Sequence, residues 1–277
     1  MKNKVMVIAL MPIILNTQSC EDRFYRDKNH HPSKIGIHSD VGYSSYMVEF
    51  HSSELDSAIS YDILEFTLGA SYSYDTWMWG IFGKFMIDEL QSNMDVVPTG
   101  ERRNDHAKIN KDEFALYSNY TLSQNQRDTL RINALYRYAH LDARDSYLSY
   151  NSYESLFRYR TQGLALSLVY SQILTEYSSW FINSGLLYSM AEVEISESIG
   201  SKLQDSYVDD ISSAIGIKFS AGYNYKVFPN LFLNIRTDVW QSNFGTLQVK
   251  SRVGDRLPRA TLIEQSFTLS TGITWHF

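Results

Sequence analysis

The chain has 277 residues, a formal net charge of −6 and 14% aromatic residues, among them 20 Tyr, 14 Phe and 5 Trp. An acidic balance argues against nucleic acid, whose binders carry basic patches. The single cysteine, Cys20, excludes an intrachain disulfide. Beyond the N-terminus no apolar run approaches the roughly 18 residues of a membrane-spanning helix.

At the N-terminus Lys2 and Lys4 precede an apolar stretch from Val5 to Leu15, and Thr17 and Ser19 take the −3 and −1 positions of a cleavage site. This is the pattern of a signal peptide over residues 1–19. Its removal takes away two lysines and no acid, moving the charge from −6 to −8. A polar N-terminal segment, 20–34, follows, and the folded domain occupies 35–277. Cys20 becomes the first mature residue. The preceding Asn-Thr-Gln-Ser lacks the leucine usual in lipoprotein signals, so an incidental cysteine is the simpler reading. His30 and His31 are adjacent but lack a third ligand, which makes a weak metal site.

From residue 35 onward, apolar and polar residues alternate with a period of two, the mark of strands with one apolar face. The first strand, about 35–50, is the least regular. Its parity slips near Tyr43–Ser45, as a bulge would cause. Leu64, Phe66, Leu68, Ala70, Tyr72 and Tyr74 then share a face, followed by Trp77, Trp79, Ile81, Phe85 and Ile87. Residues 113–122 continue the pattern, as do Leu130, Ile132, Ala134, Tyr136 and Tyr138, then 156–172 and 179–195. Ile215 to Tyr225 form the next strand. After a Pro229 turn come Leu231, Leu233, Ile235 and Val239. The chain closes on Phe267, Leu269, Ile273, Trp275 and Phe277.

Ten strands result. Short links fall near 74–76, 123–128, 174–178 and 227–230. Long ones cover about 51–60, 90–111, 142–154, 196–210 and 250–260. Short turns at one end and long loops at the other are the bacterial outer-membrane pattern, with aromatic residues at both interfaces. The predicted fold is all-β: a single transmembrane antiparallel up-and-down β-barrel of about ten strands. Twelve is the alternative if a hairpin lies within 231–250. Lipid cannot satisfy a free sheet edge, so the sheet must close. A soluble β-sandwich or lipocalin-like barrel is disfavoured because no second apolar set is evident to fill a core.

On the inward faces this reading places Glu49, Glu65, Lys84, Asp88, Glu113, Arg131, Arg137, Lys218, Arg236, Asp238 and Glu264. They form either a charged permeation path or ion pairs filling a narrow barrel. Barrels of about eight strands are just filled by side chains, which favours the second. In the outer loops, Arg102, Arg103, Arg252 and Arg256 are candidates to hold lipopolysaccharide phosphates or a partner. The aromatic tip 147–153 suits contact with an extracellular ligand. His51 with two serines lacks an acidic partner and reads as polar loop. No catalytic, metal or cofactor set emerges.

The last strand resembles the C-terminal sorting signal that the barrel-assembly machinery of Gram-negative bacteria recognises. The residues carrying it are Phe267, Leu269, Ile273, Trp275 and Phe277. The strand count and the ending "IEQSFTLSTGITWHF" resemble the omptin proteases, which are ten-stranded. "FSAGYNYKVFPNLFLNI" resembles the late strands of a twelve-stranded autotransporter translocator, here without a passenger. Both resemblances imply the outer membrane, contact with its lipid, and a porin-like barrel. Omptins carry an acidic pair above an early strand and Asp-x-His above a later one. This chain offers Asp88, Glu89 and Asp95 at the first place. At the second it has Glu192 and Glu194 and no histidine to activate water. The expectation is therefore a non-enzymatic outer-membrane barrel with a structural or surface-binding role. A narrow channel for small solutes and a divergent omptin-like hydrolase are the alternatives.

Overall fold

The two ends of the folded chain lie side by side. Gly36 pairs with His276, and the antiparallel register runs unbroken to His51 opposite Thr261. The Phe277 amide donates to the Ile35 carbonyl at 2.9 Å. This seam closes the sheet in the computed structural model, which describes residues 34–51, 56–95, 108–147, 153–199, 202–208, 212–247, 250–251 and 260–277. Residues 1–19, read above as a signal peptide, lie outside the described residues, as do Cys20, His30, His31, Arg102, Arg103, Arg252 and Arg256.

Ten long strands make the barrel: β1 Lys34–His51, β2 Asp56–Tyr74, β3 Trp77–Asp95, β4 Lys108–Gln124, β5 Asp128–Tyr147, β6 Tyr153–Ile173, β7 Ser178–Ile199, β8 Ser212–Phe228, β9 Leu231–Leu247 and β10 Ala260–His276. Each pairs antiparallel with the next, and β1 with β10. Two short segments, Lys202–Val208 and Lys250–Ser251, extend the sheet outward from β7. No hairpin interrupts 231–247, so the barrel has ten strands rather than twelve.

The links 75–76, 125–127, 174–177 and 229–230 are short and share one end with the start of β1 and with Phe277; this is the periplasmic end. Asp75 turns the β2–β3 hairpin with φ 53°, a left-handed conformation that Asp tolerates. Asn125 caps its turn by accepting from the Arg127 and Asp128 amides at 2.9 and 2.8 Å.

A tilted strand crosses a bilayer in about 9–11 residues, whereas these strands hold 17 to 22. The wall therefore continues beyond the outer leaflet. Much of what alternation alone assigns to loops, near 90–95, 142–147 and 196–199, is strand. Outward-facing Leu164, Leu166, Leu168, Leu186, Ile215, Ile217 and Ile235 are each more than half exposed and make the lipid belt. At its periplasmic border, Trp77 stacks on Trp79 at 5.8 Å, Tyr72 on Trp79 at 6.2 Å and Trp275 on Phe277 at 6.0 Å. All five C-terminal residues singled out by the alternation, Phe267, Leu269, Ile273, Trp275 and Phe277, face outward and are exposed.

Three expectations need correction. First, β1 has no parity slip: its pairing with both neighbours is continuous, and its even-numbered residues point inward throughout. Tyr46 and Val48 look out of phase because they are apolar residues facing the interior. Second, the same parity puts Glu49 on the outer face, not in the lumen. Third, an inward apolar set does exist, in the outer half of the barrel. Tyr46, Val48, Tyr61, Ile63, Phe157, Tyr159, Phe244 and Leu262 are each at most 2% exposed. It escapes a sequence reading because an inward apolar residue reads like an outward one.

Candidate functional site

The interior is built in layers by the inward positions of all ten strands. At the periplasmic end most are small and polar, with Met78, Phe181 and Phe232 packed among them. The Asn234 amide donates to Thr274 Oγ1 at 3.3 Å, and the His276 ring meets Phe232 edge-on at 5.7 Å. Glycine makes room here: a Cβ at Gly69 would collide with the His38 ring, so only glycine lets that ring lie against β2.

Charge fills the middle. Glu65 takes Lys84 at 3.2 Å and Lys111 at 3.9 Å. Arg137 sits between Glu113 at 3.0 Å and Glu264 at 3.2 Å. The Arg236 guanidinium meets Asp238 at 2.7 Å and Asp40 at 4.0 Å. Glu264 also accepts from the Tyr46 hydroxyl at 2.7 Å and the Tyr159 hydroxyl at 3.1 Å. Arg137 lies 4.6 Å and Lys218 5.2 Å from the Trp240 ring centre. Buried charge is tolerable when paired and hydrogen-bonded in this way. A cavity of about 60 Å³ remains among Lys84, Lys218, Arg236, Asp238 and Trp240. Above this level lies the apolar layer, with Phe157 stacked on Tyr159 and Phe244 edge-on to it.

Glu65, Lys84, Glu113, Arg131, Arg137, Lys218, Arg236, Asp238 and Glu264 thus line the interior. Asp88 does not. Leu64 pairs with Asp88 while its neighbour Glu65 pairs with Met86, so Ile87 is an extra residue and inverts the faces beyond it. Asp88 turns outward and is exposed. Glu89 takes the inward side, where its carboxylate accepts the Ile109 amide at 3.1 Å. Alternation also misses Asp40, on the strand whose phase is misread, and Lys111, assigned to a loop.

The outer wall carries a second cluster. Phe114, Tyr138, Gln162 and Met190 lie in register across β4 to β7; the next outward row is Asp112, His140, Arg160 and Glu192, and then Asn110, Asp142, Arg158 and Glu194. The lipid belt therefore ends at a tyrosine-bearing row, and charge begins one step above it. Arg160 meets Glu192 at 3.6 Å. Arg158 bridges Asp142 at 3.5 Å and Glu194 at 3.3 Å, and His140 Nε2 lies 3.1 Å from Asp142. These groups are about one third to one half exposed, where ion pairs contribute little stability. The carboxylates that stand at the omptin-like place are thus bound to arginines on the barrel's outside. β3, which carries Asp88 and Glu89, is four strands away from β7.

No known protein family and no curated protein matches the chain by sequence. Solved structures match the fold. The outer membrane protease OmpT of Escherichia coli superposes with a TM-score of 0.68 at 14% identity, over 88% of this chain and 97% of that one. The translocator domain of autotransporter NalP from Neisseria meningitidis gives 0.45 at 8% identity, covering 93% and 92%. OprG from Pseudomonas aeruginosa gives 0.41 at 8%, covering 90% and 97%. The ten-stranded closed barrel, its lipid belt and its aromatic girdle make this chain a bacterial outer-membrane β-barrel, similar in fold to OmpT.

Proposed function

We propose that the chain is a non-enzymatic outer-membrane barrel, closed to solutes, that acts through its outer wall and outer loops. The observation that carries the reading is the packing of the interior: a buried ion-pair layer held by Glu264 and Arg137, capped by the apolar layer. A solute would have to cross both. Residues 1–19 direct export, and the C-terminal strand is offered to the assembly machinery. Lys108, Arg144, Arg158 and Arg160 stand on the outer face at or above the tyrosine row, the height of lipopolysaccharide phosphates, which guanidinium groups bind well. The loop residues Arg102, Arg103, Arg252 and Arg256 extend the same chemistry.

The test is conductance of the refolded chain in a planar bilayer. A silent, heat-modifiable barrel is the expected result. Stepwise currents altered by Arg236→Ala would replace this reading with that of a narrow channel. For the outer wall, lipopolysaccharide binding should weaken in Arg158→Ala/Arg160→Ala and fall with added salt. Unchanged binding in that variant removes the wall as the contact.

One observation favours a second reading, a surface hydrolase. His140 Nε2 lies 3.1 Å from Asp142 on the outer wall without a hydrogen bond between them, and Arg158 ties Asp142 to Glu194. A histidine beside a carboxylate can act as a general base when substrate brings the two into hydrogen-bond geometry. Cleavage of peptide or lipid-ester substrates that disappears in His140→Ala would establish it.

A further inference from the structure

Lys218 is 7% exposed and points into the barrel from β8. Among the described residues no carboxylate stands within ion-pair range of its ammonium, and no side chain or carbonyl accepts a hydrogen bond from it. The contact it makes is with the Trp240 ring, at 5.2 Å. It faces the cavity of about 60 Å³, whose lining holds three cations, Lys84, Lys218 and Arg236, against two carboxylates, Glu113 and Asp238. Both carboxylates are already occupied: Glu113 by Arg137 at 3.0 Å and Asp238 by Arg236 at 2.7 Å. Lys84 has Glu65 at 3.2 Å. Of the three cations Lys218 is the one with no carboxylate in ion-pair contact; the field it feels comes from Asp238, which Arg236 already holds.

An ammonium buried without a partner is costly, and the adjacent space can hold one. A cavity admits a water molecule at about 10–15 Å³, so this one takes a halide-sized ion together with residual water. Asn133, Asn183 and Ser220 line the same space and bring neutral polar groups to it. We infer that the cavity beside Lys218 binds one small monovalent inorganic anion, which gives that ammonium a local counterion. This goes beyond the proposed surface role and stands whether or not that role does.

The experiment uses the refolded full chain in detergent, with the folded-to-unfolded gel transition followed against temperature in sodium chloride, bromide or gluconate at equal ionic strength. Gluconate is too large for the cavity. The expected result is a saturable rise of the midpoint in chloride and bromide over gluconate, as for a ligand that binds the folded state alone, lost in Lys218→Met. A halide effect that persists in Lys218→Met overturns the proposal, as does wild-type protein with the same midpoint in all three salts. If Lys218→Met does not fold, bromide-soaked crystals of the wild type decide. An anomalous peak beside Lys218 Nζ supports the site, and none there refutes it.

Discussion

Arg137 and Glu264 meet at 3.2 Å, although β5 and β10 are five strands apart in either direction around a ten-stranded wall. The ion pair therefore spans the diameter of the barrel. Tyr46 on β1 and Tyr159 on β6 donate to the same carboxylate, and Glu113 on β4 holds the other side of Arg137. Five strands converge on one buried cluster just beneath the apolar layer. Such a cross-brace both closes the bore and fixes the wall.

Loss of one partner from this cluster leaves buried charge uncompensated. Arg137→Ala should cost about 3–5 kcal/mol, read from urea unfolding in lipid vesicles by Trp fluorescence. Arg137→Met combined with Glu264→Gln should cost less than the two single changes added together, because Glu264 is then no longer left charged alone and only Glu113 loses its cation. Simple additivity would show that the pair is not coupled.

The outer belt makes a different demand. Leu166 is 62% exposed on the lipid face and lies between Ala134 and Leu186 in register. Leu166→Arg should destabilise the barrel by roughly 2–4 kcal/mol, as for charge near the bilayer midplane. Arg158→Ala, above the belt, should change stability by about 1 kcal/mol or less. Vesicle unfolding of both variants checks the height assigned to the membrane.

Phe277 is 68% exposed, and its ring stacks on Trp275 at 6.0 Å. Little interior packing depends on it. Phe277→Ala should refold in detergent nearly as well as the wild type yet assemble poorly in cells, measured as the heat-modifiable fraction in isolated outer membranes. Equal loss in both settings would make the residue structural instead.

The β2–β3 hairpin gives a local test. Asp75 adopts a left-handed backbone conformation, φ 53°. Asp75→Gly should be neutral or slightly stabilising, whereas Asp75→Val should cost about 1–2 kcal/mol. Unfolding midpoints of the two variants, compared with the wild type, decide it.

The sequence by itself determined the wall. Alternation is local, and it repeats in every strand, so the barrel, the lipid belt and the outward series Phe267 to Phe277 could all be read from residue order. Link lengths distinguished the two ends for the same reason. The contents of the barrel were decided only by tertiary structure. Whether Tyr46 and Val48 face lipid or lumen depends on pairing to β2 and β10, and either face accepts an apolar residue. The outward turn of Asp88 and the inward turn of Glu89 follow from an extra residue that shows only against β2. Glu49 fell on the wrong side because the phase of β1 can be set only by its neighbours. Partners such as Arg137 and Glu264, 127 residues apart, are joined by closure of the sheet, which no local pattern encodes.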